Sequence, residues 1–172
     1  MVVAVWLKKK GKQIWFVISP HNPLKEKRTL LADHHRLAMV NIAVEDNAKF
    51  KASSVEFKLP QPSYTIHTLI YLHEKYPAKQ FVLIMGSDNL PTFHKWKNHE
   101  QILEQYELYV YPRPGTPDHL LMTHPKVKMI NASLIEISSS FIRKAINNKQ
   151  DVKYLLTEKV YEYVKEMHFY EK

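Results

Sequence analysis

The run Gln80-Phe-Val-Leu-Ile-Met85, followed by Gly86-Ser-Asp-Asn-Leu90, constrains the fold more than any other part of the chain. Apolar residues fill it without polar alternation, the mark of a strand covered on both faces, and a glycine with an acid stops it. Strands of this kind belong to open α/β sheets, where ligands lie beyond the carboxyl ends. Asp88 can accept hydrogen bonds from a ribose or an amine, and Trp96 offers a flat apolar face to a ring. The junction therefore reads as a nucleotide-handling site. The same residues also fit an ordinary turn and helix cap with a core tryptophan.

Strands and helices alternate on either side of that junction. Val2–Leu7 ends at a basic run and Gly11, which reads as the last turns of a helix. Strands are expected at 13–19, 50–59, 107–111, 127–130 and 134–137. Amphipathic helices are expected at 28–45, at 65–76 with Ile66, Leu69, Ile70 and His73 inward, at 139–147, and at 157–168. Two short helical pieces are expected between Pro91 and Gln105. This order predicts a parallel sheet with helices on both faces. The 172 residues are read as one domain, 1–172, with no linker or internal repeat.

Composition narrows the chemistry. With no cysteine, disulfides, thiolate catalysis and sulfur-ligated zinc are excluded, and a cytoplasmic location is the default. No signal peptide opens the chain and no apolar run reaches membrane-span length. The net charge of +8 favours anionic partners, either nucleic acid or small phosphorylated molecules. Only Gly11, Gly86 and Gly115 are present, so neither a dinucleotide loop nor a P-loop can form. Phosphate would instead be held by a helix start and by side chains. Ile137-Ser-Ser-Ser-Phe-Ile-Arg143 is the best candidate: serines supply a cap and hydroxyls at the positive helix end, and Arg143 adds a planar fork of donors. Lys25 and Arg113, each past an expected strand end, are further phosphate candidates, although solvated loop residues fit the same pattern. The ten histidines show no metal-ligand spacing, and His34-His35 reads as helix surface.

In order along the chain, Trp15-Phe-Val-Ile-Ser-Pro20 to Lys25, Arg36-Leu-Ala-Met39, Pro62-Ser-Tyr-Thr-Ile-His-Thr-Leu69, Gly86-Ser-Asp-Asn-Leu90 with Trp96, Arg113-Pro-Gly115 and Ile137 to Arg143 resemble the bacterial nicotinate-nucleotide adenylyltransferases of the nucleotidyltransferase superfamily. The resemblance implies a Rossmann-like doubly wound parallel sheet of the nucleotidyltransferase type. Two departures accompany it. His67 stands where the family usually has aspartate, and the family's opening glycine-rich strand with its His-x-Gly-His signature has no counterpart here. The expected fold therefore has its first, central strand missing, a unit of roughly 20 residues by ordinary element lengths. A gene start placed too late, with Met1 an internal methionine, is the simplest explanation.

The implied reaction transfers AMP from ATP to nicotinate mononucleotide, giving deamido-NAD and pyrophosphate in NAD biosynthesis. By resemblance, Ser139, Ser140 and Arg143 hold the triphosphate with its Mg²⁺, with Asp88, Gly86 and Lys25 also on the ATP side. Tyr64, Thr65 and Trp96 hold the pyridine ring, and Arg113 supports a phosphate. Arg143 is the one catalytic candidate, because the family histidines that stabilise the α-phosphate are absent. Each such donor is worth on the order of 10² to 10³ in rate, so this chain is expected to turn over poorly. Two rivals stand beside this reading: another nucleotidyltransferase, such as one acting on phosphopantetheine, and a non-catalytic nucleotide- or RNA-binding remnant. Assembly into a homo-oligomer stays open, and no membrane partner is expected.

Overall fold

The chain builds one six-stranded sheet from its apolar runs, in the order β3-β2-β1-β4-β5-β6. The computed structural model describes residues 13–20, 30–134 and 136–171, together with the backbone of Val2–Leu7. The strands are β1 (Val2–Leu7), β2 (Ile14–Ile18), β3 (Phe50–Ser53), β4 (Phe81–Gly86), β5 (Glu107–Tyr111) and β6 (Val127–Met129). The helices are α1 (Asp33–Val44), α2 (Thr65–Lys75), α3 (His99–Gln105), α4 (Ser139–Asn147) and α5 (Glu158–Glu166). β2 pairs parallel with β3, and β4, β5 and β6 pair parallel with one another.

The α/β class expected from the sequence holds, with several corrections to its parts. Val2–Leu7 is a strand rather than the end of a helix: Ala4 pairs with Phe16 of β2 on one side and with Ile84 of β4 on the other. Its valines and tryptophan suit a pleated ladder better than a helix turn. β1 runs antiparallel to both neighbours, so the sheet is mixed, and the central place assigned to a missing strand is filled in the opposite direction. The strand expected at 50–59 stops at Ser53, where a 3-10 turn, Val55–Lys58, carries the chain inward and buries Glu56. The strand expected at 134–137 does not form: residues 131–134 and 136–138 are irregular, and Ile135 lies outside the described residues. The first helical piece starts earlier than Pro91, as a 3-10 stretch over Ser87–Lys95.

Two apolar clusters hold these elements. The larger joins β2, β4 and β5 to α2 and α3 through residues such as Val17, Leu69, Leu83, Phe93, Ile102 and Leu108. In α2 the buried face is Ile66, Thr68, Leu69 and Leu72; His73, expected inward, is exposed because Leu72 occupies that stripe. The smaller cluster is Val160, Val164 and Phe169, against which Leu31, Met39 and Ile42 pack from the α1 side and Ile146 from α4. His35 belongs to this second interface rather than to open surface. Its Nδ1 lies 2.9 Å from the Tyr163 hydroxyl and its ring 4.7 Å from that of Phe169.

Because β1 is antiparallel to both β2 and β4, those two strands point the same way. The carboxyl ends of β2, β4, β5 and β6 therefore share one edge of the sheet. Asp88, Arg113 and the start of α4 all follow strand ends on that edge.

Candidate nucleotide site

The tip of β4 is the tightest part of this edge. Gly86 and Ser87 are buried and Asp88 is exposed. A side chain at position 86 would run into the Asp88 carboxylate and would come within about 3.1 Å of Arg113, so glycine is what lets these two side chains close over the strand end. The Ser87 hydroxyl accepts a hydrogen bond of 2.8 Å from the Arg113 backbone N–H, tying the β4 tip to the β5 tip. Arg113 Nε then sits 3.9 Å from Asp88 Oδ1, and its guanidinium lies 5.2 Å from the Tyr111 ring. Both members of the pair stay partly open to solvent, so the contact steers the groups more than it stabilises the fold. Asp88 is an available acceptor and Arg113 an available donor, side by side.

The ring-binding candidates stand at the start of α2 and at the end of the 3-10 stretch that follows β4. Tyr64 caps the start of α2, Thr65 is that helix's first residue, and both are half-buried. Lys97 Nζ stands 4.6 Å from the Tyr64 ring and His67 5.5 Å from it. Behind Tyr64, Glu56 is only 2 % exposed and its Oε1 accepts a 2.7 Å hydrogen bond from Thr68 Oγ1, which fixes the 3-10 turn to the first turns of α2. Trp96 is packed inward, 9 % exposed, with its ring 5.3 Å from Phe93. Its indole and Tyr64 join the same apolar cluster, so Trp96 backs the recognition segment and shows little of its own face.

The anion candidates form a separate corner. Ser138 is the N-cap of α4, its hydroxyl accepting from the Phe141 N–H at 3.1 Å, which leaves the hydroxyls of Ser139 and Ser140 at the helix start, exposed. Arg143 Nη2 donates to Ser140 Oγ at 3.0 Å and its guanidinium is 6.0 Å from the Tyr170 ring. Burial lifts the Tyr170 phenol above its ordinary value, while the Arg143 and Arg36 guanidiniums pull it the other way. Arg36 itself bonds Asp33 at 2.6 Å and the Pro20 carbonyl at 3.4 Å, which brings a second guanidinium to the end of β2.

The predicted residues thus fall into three groups. Gly86, Asp88 and Arg113 are in mutual contact at the β4 and β5 tips; Tyr64 and Trp96 join the large cluster, with Thr65 beside Tyr64 at the start of α2; Ser139, Ser140 and Arg143 stand at the start of α4. Among the described residues no hydrogen bond, ion pair or ring contact joins Arg143 to Asp88 or Trp96. Lys25 lies outside the described residues. Ser87 and Tyr170 were not singled out in the sequence. The serine carried a signal, sitting between a buried glycine and an acid, whereas nothing local marks a tyrosine brought from the far end of the chain.

The cytidylyltransferase-like family model matches residues 1–145. A probable nicotinate-nucleotide adenylyltransferase of Flavobacterium johnsoniae is 54% identical over 162 residues, 93% of this chain and 84% of that protein. One of the same name from Flavobacterium psychrophilum is 51% identical with the same coverage. The chain belongs to the nicotinate-nucleotide adenylyltransferases. Among solved structures, a Plasmodium falciparum nicotinic acid mononucleotide adenylyltransferase complexed with NaAD superposes with a TM-score of 0.76, covering 92% of this chain and 82% of that one. At 22% identity that likeness speaks for the fold. It is the fold the adenylyltransferase family predicts, and among the described residues no helix is long and apolar enough to cross a membrane.

Proposed function

We propose that this protein transfers the adenylyl group of ATP to nicotinate mononucleotide, forming deamido-NAD and releasing pyrophosphate. The observation that carries the reading is the identity of 54% and 51% to relatives bearing that activity's name over more than nine-tenths of the chain. The same comparisons favour this acceptor over phosphopantetheine.

The geometry supports a division of labour. Asp88 accepts from the nucleotide and Arg113 donates to a phosphate beside it. Tyr64 and Thr65 receive the pyridine ring, with Trp96 bracing them from behind. At α4, Ser139, Ser140 and Arg143 present hydroxyls and a fixed guanidinium to the triphosphate, next to the positive end of the helix. Lys25 is a further phosphate contact in this proposal. The mononucleotide phosphate oxygen attacks the α-phosphorus in line as the bond to the pyrophosphate oxygen breaks, so positioning and charge stabilisation carry the reaction.

Magnesium enters this scheme on the triphosphate. It would neutralise charge on the leaving pyrophosphate.

The test is a competition: ATP with Mg²⁺ and equal amounts of nicotinate mononucleotide, nicotinamide mononucleotide and phosphopantetheine, with products read by mass. Deamido-NAD should dominate. Preferred adenylylation of phosphopantetheine would overturn the proposal.

A further inference from the structure

Away from the nucleotide edge, a cavity of about 200 Å³ opens between the edge strand β3 and the outer half of α2. Lys51, Lys58 and Lys75 line it, and no carboxylate does. The rest of its polar lining is hydroxylic: Ser53, Ser54 and Tyr71. Among the described residues the Ser53 and Ser54 hydroxyls make no hydrogen bond, and Lys51 and Lys58 have no acidic partner. Three positive charges around a recess are left without an internal counter-charge in a chain that has 17 acidic residues to place.

What holds Lys51 and Lys75 there is aromatic, and Lys79, just outside the lining, joins them. Trp15 and Tyr76 meet edge-on at 5.2 Å. Lys51 Nζ stands 4.3 Å from the Trp15 ring centre, and Lys79 Nζ stands 5.0 Å from it and 4.9 Å from that of Tyr76. Lys75 Nζ lies 5.4 Å from the Tyr71 ring and donates to its hydroxyl at 3.3 Å. That hydrogen bond holds Lys75 above the ordinary lysine value, so it stays charged. The ring faces attract the ammonium groups, yet they satisfy no hydrogen-bond donor. Each ammonium keeps donors for an oxyanion.

We infer that this cavity is an anion site, built for a small, multiply charged phosphate such as a pyrophosphate or short polyphosphate. Lysine is a competent point-charge partner for phosphate, and serine and tyrosine hydroxyls complete a shell of donors. Size argues against a whole nucleotide: the volume is below the roughly 300–1,000 Å³ of drug-sized sites and corresponds to about six or seven waters of liquid. The site lies to one side of the β4 tip: β3 is separated from β4 by β2 and β1, about 14 Å at ordinary strand spacing. Tyr71, the α2 aromatic lining the cavity nearest to Tyr64, is about 10 Å from it along the helix. The inference stands whether or not the adenylyl-transfer reading does.

The experiment is calorimetric titration of sodium pyrophosphate, without Mg²⁺, into the full chain carrying Arg143→Ala, so that the α4 corner does not compete. Binding near one equivalent is expected. Adding Lys51→Gln, Lys58→Gln and Lys75→Gln should weaken it by more than about tenfold, the scale of losing charge-assisted contacts. A control triple with the same loss of charge, Lys126→Gln, Lys153→Gln and Lys165→Gln, should change it less than about twofold, because distant surface charges are screened. Thermal melts check that all variants remain folded; the three lysines lie at the surface, so folding should persist. No binding in the parent, unchanged binding in the first triple, or equal losses in both triples would each overturn the site.

Discussion

Beneath β4 and β5, sixteen buried residues form the large cluster, and the β4 tip with Asp88 and Arg113 stands directly on it. At the corner of α1, α4 and α5, among the described residues, only Val160, Val164 and Phe169 are buried together, and Arg143 works from that thinner base. The neighbouring segment is correspondingly open: Leu134, Ile137 and Phe141 are all exposed apolar side chains. One half of the site is a rigid tip with a steric lock at Gly86. The other is a capped helix start whose arginine is oriented by one serine and one tyrosine. In the proposed assignment the β4 tip thus stands on the densest part of the described fold, and the anion-holding α4 corner on the lightest.

The contrast should appear first in stability. Phe93→Ala in the large cluster should cost about 3–5 kcal/mol in denaturant unfolding. Val160→Ala in the small one should cost about 1.5 kcal/mol, the transfer of two carbons. Equal costs would erase the distinction between the halves. Next in size, Gly86→Ala should destabilise by about 1–3 kcal/mol, because the new methyl must push aside Asp88 and Arg113. The same variant should also weaken ATP in calorimetric titrations, because the displaced Asp88 is a proposed ATP contact.

Arg143→Ala should act on binding alone. A charged hydrogen bond to phosphate is worth about 1.5–3 kcal/mol, so ATP–Mg²⁺ affinity should fall roughly ten- to a hundredfold. Stability should barely move, since the guanidinium is half-exposed and bonds only a serine.

The smallest effect concerns two tyrosines. Burial raises Tyr106 in the large cluster, with the charge of Glu74 adding to it, while at Tyr170 the raising effect of burial is opposed by two arginines. A neutral phenol with a raised folded-state value contributes stability that is intact below its ordinary value of 10.0 and is lost as pH climbs through the raised value. Unfolding measured between pH 9 and 11 should therefore be flatter in Tyr106→Phe, and likewise in Tyr170→Phe, than in the unaltered chain.

The same division explains what was readable from residues alone. The β4 run and its Gly-Ser-Asp stop were legible because a buried strand and a glycine tip are local patterns. The helix Ser139–Asn147 was legible because serine caps and an apolar stripe set both its ends. β1 was misread since six apolar residues before a basic run suit either a helix end or a strand, and only pairing with β2 and β4 decides. Trp96 reads equally as ring platform or core, and its burial depends on Phe93 and the α2 segment meeting it. Arg36 and Arg143 converge on Tyr170 from distant parts of the chain, which no local spacing announces.

The central claim is that the β4 tip and the α4 corner serve one dinucleotide. Deamido-NAD, which would span both, tests it most directly by calorimetry against the unaltered chain, Asp88→Ala and Arg143→Ala. One-to-one binding is predicted, weakened about tenfold or more by each substitution, the loss of about 1.4 kcal/mol apiece. Affinity left unchanged by either substitution would contradict the account, because the two regions would then not share a ligand.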